Sequence, residues 1–144
     1  TSYGVGGAVF KPMAPDGLSK VWADAEALAC HYDTPARAGD FLYGIDGRQE
    51  SGAQLRCVRW SDGAVQWTQP GFGCASVIHA DARLWFLKEN GVLQAVSVDP
   101  VKFVDQGELK ILGAPVRAHP ALANGSLFAR DKTELVRVDL RAKP

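Results

Sequence analysis

Ser76, His79 and Asp81 are the residue types of a hydrolytic triad, gathered within one short stretch of chain. A working triad needs a nucleophile, a base within hydrogen-bond reach and a carboxylate that orients the base. Here all three fall along one expected strand and its turn, where successive side chains point to opposite faces, so convergence is not expected. His31, His79 and His119 are potential metal ligands, but they occupy different places in the repeating pattern described below, so no metal site is expected. Cys30, Cys57 and Cys74 are widely spaced with no Cys-x-x-Cys pair, which argues against zinc, thioredoxin-like chemistry and covalent haem. Small buried cysteines are the expectation, and a disulfide between two of them stays open.

Other short motifs have simpler readings. Gly4-Val5-Gly6-Gly7 is an incomplete dinucleotide fingerprint with no helix after it. Asn124-Gly125-Ser126 fits a glycosylation sequon and equally a tight turn. The acidic turns at Asp46, Glu89 and Asp131 lack the alternating carboxylates of a calcium loop and are expected to be solvated. No catalytic, cofactor-binding or metal-ligating residue is therefore assigned. Four loop residues remain as binding candidates: Arg48 and Glu50 in the longest turn, Asp46 to Gly52, and His31 and His119, which precede inner-strand segments.

The elements that position these residues are short. The 144 residues are 47% hydrophobic and 22% charged, the composition of a soluble globular domain able to bury a sizeable core. Basic and acidic residues cancel at 16 each, so no net field draws the chain to nucleic acid or to an anionic membrane surface. No apolar run approaches the roughly 18 residues of a membrane span. The chain opens at Thr1-Ser2-Tyr3-Gly4 with neither an initiator Met nor a signal segment, and is expected to be a processed chain, an excised piece or an incomplete copy of something longer.

Leu55 to Trp67 reads as two strands joined by Ser61-Asp62-Gly63, a strong hairpin signal, because Gly63 tolerates positive φ and the Asp62 side chain bonds its own backbone. Weaker copies recur on both sides. Leu42, Leu84 and Leu127 form one column spaced by 42 and 43 residues. Leu55, Leu93 and Leu135 form a second, each opening the pattern Leu-x-x-Val-x-apolar. Trp22 and Trp67 are 45 apart in an outer-strand column whose third place falls near Leu109 to Leu112.

A period of about 42 belongs to solenoids, arrays and propellers, and four strands of five to six residues with short turns use roughly 40. No segment shows helical spacing of apolar residues, and the Ala-rich stretch Ala23 to Cys30 reads as irregular. The expected fold class is all-β: propeller blades of four antiparallel strands, about three blades near 34–67, 75–112 and 119–140. An incomplete N-terminal blade over 1–22 completes one partial propeller domain across 1–144. There Tyr3 to Phe10 reads as a Gly-rich strand with close backbone neighbours, broken by Pro12 to Gly17. Apolar residues on both faces of Leu135 to Leu140 suit a sheet sandwiched between neighbouring blades, and Trp22 and Trp67 are expected to cover blade seams.

Leu55 to Trp67 resembles the blade signature of the PQQ-like (quinoprotein-type) β-propeller repeat, Leu-Tyr-Ala-Leu-Asp-x-x-Thr-Gly-x-x-x-Trp, with Gly63 and Trp67 matching. The likeness extends over roughly Val21 to Leu140, and the chain looks most like the C-terminal portion of exported bacterial proteins of this kind. The resemblance implies a periplasmic or secreted, non-catalytic module for binding or assembly. An alternative is a fragment of a PQQ-dependent quinoprotein oxidoreductase, and a third is an outer-membrane assembly factor of BamB-like propeller type. Quinoprotein dehydrogenases resemble this fold but add a vicinal cysteine pair, calcium ligands and a catalytic Asp. No adjacent cysteines exist here, so no cofactor is expected; PQQ with calcium belongs only to the alternative. Three blades do not close a ring, so the expected partners are further blades, from a parent chain or by homo-oligomerisation, and a protein partner of the assembled propeller.

Overall fold

A computed structural model describes residues 1–141. They are organised in two compact units, one comprising Thr1–Cys74 with Val98–Phe103, the other Ala75–Ser97 with the chain from Val104 on.

The first unit opens with a hairpin of β1 (Gly7–Met13) and β2 (Gly17–Asp24). Pro12 does not break this element as the sequence suggested. It lies inside β1 opposite Leu18, tolerated because a two-stranded sheet leaves each strand an outer edge where no ladder donor is needed. The turn falls instead at Ala14 to Asp16. The expected close backbone approach is found just before β1, where a Cβ on Gly6 would collide with the backbone of Asp24 and Ala25. The Ala-rich stretch after β2 forms a turn and then an extended run, with Ala27, Leu28 and Cys30 buried beside Leu42 and Val58.

The second sheet of this unit runs in the order β3 (Ala36–Ala38), β4 (Phe41–Asp46), β5 (Gln54–Arg59), β6 (Val65–Gln69), all neighbours antiparallel. Its central strands bury consecutive residues, Leu42 to Ile45 on β4 and Cys57-Val58 on β5. Both faces of the sheet are therefore covered, which is why period-two alternation is missing from their sequences.

The β5–β6 turn is the hairpin read from Asp62-Gly63. Gly63 adopts φ of 80°, its N–H donates to the Arg59 carbonyl at 3.0 Å, and the Asp62 carboxylate accepts the Ala64 N–H at 3.0 Å. That last bond is the main reason the Asp62 carboxyl is held below its ordinary pKa. A second constraint falls on Gly63: a Cβ there would lie 2.7 Å from the Trp22 ring. Trp22 of β2 is thus seated on the turn, and its indole N–H donates to the Trp60 carbonyl at 2.8 Å.

Trp67 of β6 repeats the device. Its indole N–H donates to the Asp99 carbonyl at 2.9 Å, and its ring lies 6.2 Å from Phe103 and 6.0 Å from Tyr43. The two tryptophans expected to cover seams each dock onto the connection that follows the third strand of the next sheet. The Tyr43 hydroxyl beneath Trp67 is fully buried, and burial raises its pKa.

The second unit holds the sheet β7 (Ala75–Ala80), β8 (Arg83–Lys88), β9 (Val92–Ser97), β10 (Asp105–Lys110), again in chain order, and the three-stranded sheet β11 (Ala121–Ala123), β12 (Ser126–Arg130), β13 (Leu135–Asp139). Leu87, Leu93, Leu112, Val116, Leu127 and Ala129 form its core. The first leucine column is buried throughout, but the second fails at Leu135, which is 74% exposed. β13 half-buries alternate residues only, with Val136 and Val138 against the core and Leu135 and Arg137 outward. The expectation that apolar side chains of Leu135 to Leu140 pack on both faces is corrected accordingly. The second face of β13 is open to solvent, as the 74% exposure of Leu135 shows, so only one side of the strand meets a packed layer. At the third place of the tryptophan column, β10 is exposed along its length, and Leu112, beyond the strand, enters the core instead.

The acidic turns also differ from expectation. Asp46 is only 13% exposed and lies 3.2 Å from the Arg56 guanidinium. It also accepts the Ala29 N–H at 2.8 Å and the Gln54 amide at 3.0 Å. Asp46 is therefore an anchor for the Ala27–Cys30 segment. Glu89 pairs with Arg117 at 2.7 Å, and Asp131 caps its own turn through the Thr133 and Glu134 N–H groups. All three cysteines are buried thiols, and burial pushes Cys30 and Cys57 up to about 11.

Candidate binding surface

Three of the four loop residues singled out from the sequence meet in the first unit. The chain leaves β4 at Asp46 and makes a short 3-10 turn over Gln49–Ser51, closed by the Ser51 N–H donating to the Arg48 carbonyl at 3.2 Å. This turn presents Arg48 and Glu50 side by side, with Arg48 Nε 3.3 Å from the Glu50 carboxylate. The Arg48 guanidinium lies 4.6 Å from the centroid of the Tyr3 ring. On its other side Tyr3 meets His31 at 5.7 Å between centroids, tilted by 56°. His31 in turn meets Tyr32 at 5.5 Å.

The result is a surface row of Glu50, Arg48, Tyr3, His31 and Tyr32, with Tyr3 38% and Tyr32 40% exposed. Two features hold it in place. The Cys30–Gly47 bridge and the Gly47 N–H to Ala29 carbonyl bond fasten the His31 segment to the turn that carries Arg48. The Asp46–Arg56 pair, with Arg56 also donating to the carbonyls of Glu26 and Ala27, fixes the base of both. Flexible side chains thus stand on a braced backbone.

Tyr and Arg offer large contact area and directional donors, and both are enriched among the residues that carry most of the binding energy at protein interfaces. Sequence reasoning missed Tyr3 and Tyr32. The adjacency of Tyr32 to His31 was a signal for the one; nothing in the local sequence ties Tyr3 to residues some 30 and 45 positions away. His119 lies in the second unit, on the β10–β11 connection, where its Nδ1–H donates to the Pro120 carbonyl at 3.1 Å.

A cleft of about 500 Å³ lies in the first unit, between the β1–β2 hairpin and the β3–β6 sheet. Trp22, Trp60, Val9 and Leu28 form its apolar wall, and Asp33 and Arg37 supply charge. The Arg37 guanidinium covers the Trp60 ring at 4.6 Å. The Trp22 ring is backed by Gly63 and Gly7, so both indoles are already engaged in packing.

The other chemical candidates do not assemble. Ser76 is buried and His79 exposed on β7, three residues apart and so on opposite faces. The His79 Nε2–H donates to the Asp81 carbonyl at 3.0 Å, away from any nucleophile. Asn124 and Gly125 form a left-handed two-residue turn with φ of 49° and 71°. Among the described residues no three His, Cys, Asp or Glu side chains gather to hold a metal ion. For a bound quinone with calcium, the cysteines stand singly and buried, and no carboxylate cluster exists among the described residues, so this chain's own residues do not fit the group. Among the described residues no helix is long and apolar enough to cross a membrane.

No protein-family model matches the chain, and no curated protein matches it in sequence. Among solved structures it is similar to BamB from Moraxella catarrhalis, with a TM-score of 0.66 at 17% identity. The match covers 85% of this chain and 37% of the BamB chain. At that identity the likeness speaks for the fold alone, and with the four-stranded antiparallel sheets it makes the chain a partial β-propeller.

Proposed function

We propose that this chain is a PQQ-like β-propeller module of an exported bacterial protein that binds or assembles a protein partner and performs no catalysis of its own. The observation that carries the reading is the Tyr3–His31–Tyr32–Arg48–Glu50 row, an aromatic and cationic surface on turns braced by a rigid sheet. The module forms one partial propeller domain that closes with further blades, from a parent chain or from other copies. Its place is the periplasm or the exterior, and it needs no cofactor. The likeness to BamB supports, at the level of fold, the narrower reading of an outer-membrane assembly factor. The quinoprotein reading has no residue of this chain behind it, and an absorbance spectrum with added PQQ and calcium tests it: a bound-quinone band would restore it.

The test of the binding surface is site-specific photo-crosslinking in envelope extracts, with a photoreactive phenylalanine analogue at position 32 of the intact parent protein. A discrete adduct is expected at 32, lost in the Arg48→Ala variant and absent when the probe stands at position 109 on β10. Equal adducts at 32 and 109, or an adduct indifferent to Arg48→Ala, would overturn the assignment.

A further inference from the structure

A second cleft, of about 650 Å³, lies wholly in the second unit between the β7–β8 turn and the β11–β12 turn. Its apolar wall is made by Trp85, Leu122 and Leu140, and its charge comes from Asp81, Arg83 and Arg141. The volume is that of a small-molecule site, and an apolar wall with a few polar groups is the usual composition of one.

The polar groups are unequally occupied. Arg141 is committed: its Nε donates to Asp139 Oδ1 at 2.8 Å and its Nη2 to Oδ2 at 2.5 Å. Its stem lies over Gly125, where a Cβ would come within 2.5 Å of it. Arg83 has no ion pair and donates no side-chain hydrogen bond among the described residues. The Trp85 indole N–H likewise has no acceptor there, in contrast to the indoles of Trp22 and Trp67. The cleft thus holds two uncommitted donors, the Arg83 guanidinium and the Trp85 indole N–H, while the charge of Arg141 is already balanced by Asp139. Both turns that frame it hold a non-glycine residue in the left-handed region, Asp81 at φ 54° and Asn124 at φ 49°, the only two among the described residues. Asp and Asn tolerate this region in tight hairpin turns, so both rims of the cleft are short, defined turns.

We propose that this cleft binds a small organic acid, its carboxylate paired with Arg83 and its apolar body on Trp85, Leu122 and Leu140. An acceptor-bearing anion satisfies the uncommitted donors, and an apolar body covers a wall that is otherwise wet. A cation offers no acceptor to these donors, and a neutral ligand leaves the Arg83 charge unpaired.

The test is a nitrogen-edited NMR titration of the full chain with phenylacetate, phenylacetamide and phenethylamine, three probes of the same shape and different charge. For a ligand of about ten heavy atoms a dissociation constant on the order of 1 mM is expected. Phenylacetate should give saturable shifts at the Trp85 indole and at the Asn124 and Gly125 amides. Phenylacetamide should bind about tenfold more weakly, and phenethylamine more weakly still. Arg83→Gln should lower phenylacetate affinity by about tenfold. The proposal is overturned if no saturable shift develops, if the amide binds as tightly as the acid, or if the shifts map to other residues. Should Arg83→Gln fail to fold, the acid-against-amide comparison on the unaltered chain still decides.

Discussion

Gly63→Ala is the substitution that separates the two demands made on the β5–β6 turn. The first is conformational. At φ of 80° an alanine costs about 1 to 2 kcal/mol, and the stiffer unfolded chain offsets part of this by about 0.4 to 1 kcal/mol. The second is steric. The new methyl would lie 2.7, 2.9 and 3.0 Å from three carbons of the Trp22 ring, and the ring is held by its bond to the Trp60 carbonyl. It cannot swing aside without losing that bond, so overpacking adds about 1 to 3 kcal/mol. Gly52 supplies the control, since its φ is 78° and a Cβ there would meet nothing within 4 Å. Gly63→Ala should therefore destabilise more than Gly52→Ala by about 1 to 3 kcal/mol, lowering the melting temperature by roughly 4 °C per kcal/mol for a chain of this size. Thermal and urea unfolding of both variants, followed by far-ultraviolet circular dichroism, measure the difference. The same pair in a Trp22→Ala background should show the excess fall below about 0.5 kcal/mol. Equal costs for the two glycines in the unaltered chain would refute the steric account and leave Trp22 as a bystander of the turn.

Asp46→Ala should cost about 2 to 4 kcal/mol, because it leaves the Ala29 N–H and the Gln54 amide without their acceptor and removes the carboxylate that balances Arg56 in a largely buried setting; urea unfolding checks it, and a change within 0.5 kcal/mol speaks against the anchor. Cys30 and Cys57, buried with pKa raised to about 11, should react with a disulfide reagent near neutral pH only at the rate of unfolding; labelling as fast as a model thiol contradicts their placement. The carboxyls of Asp62, Asp105, Asp131 and Asp139 are all held below the ordinary range, by the Ala64 N–H, the Gln94 amide, the Thr133 N–H and the Arg141 side chain respectively. A depressed folded pKa gives stability that is present above the unfolded value and lost as pH falls through the folded one. The melting temperature should thus be level from neutral pH to about 5 and fall below about 4. A rise on acidification contradicts this sign.

Much of the fold is legible in the chain because its signals are local. The Asp62-Gly63 turn, the buried leucines at 42, 84 and 127, and the strand runs between Gly and Asp residues each depend on neighbours within one hairpin. The failures are non-local. Leu135 shares its pattern with Leu55 and Leu93, yet it stands exposed because the residue pattern of a strand does not record whether a layer packs on each of its faces. Asp46 resembles a solvated turn residue until Arg56 and Ala29 arrive from elsewhere in the chain. The binding surface was half legible for the same reason. Arg48 and Glu50 announce themselves by loop length, whereas Tyr3 becomes part of the row only through folding.

The segment Val98–Phe103 joins two strands of the second unit and belongs by its packing to the first. The sequence repeat and the packing unit are therefore out of phase. A protease cut or a gene boundary after Cys74 would fall cleanly between repeats, yet it would deprive Trp67 of the Asp99 carbonyl and the Phe103 ring. A fragment designed on the repeat alone inherits an exposed indole.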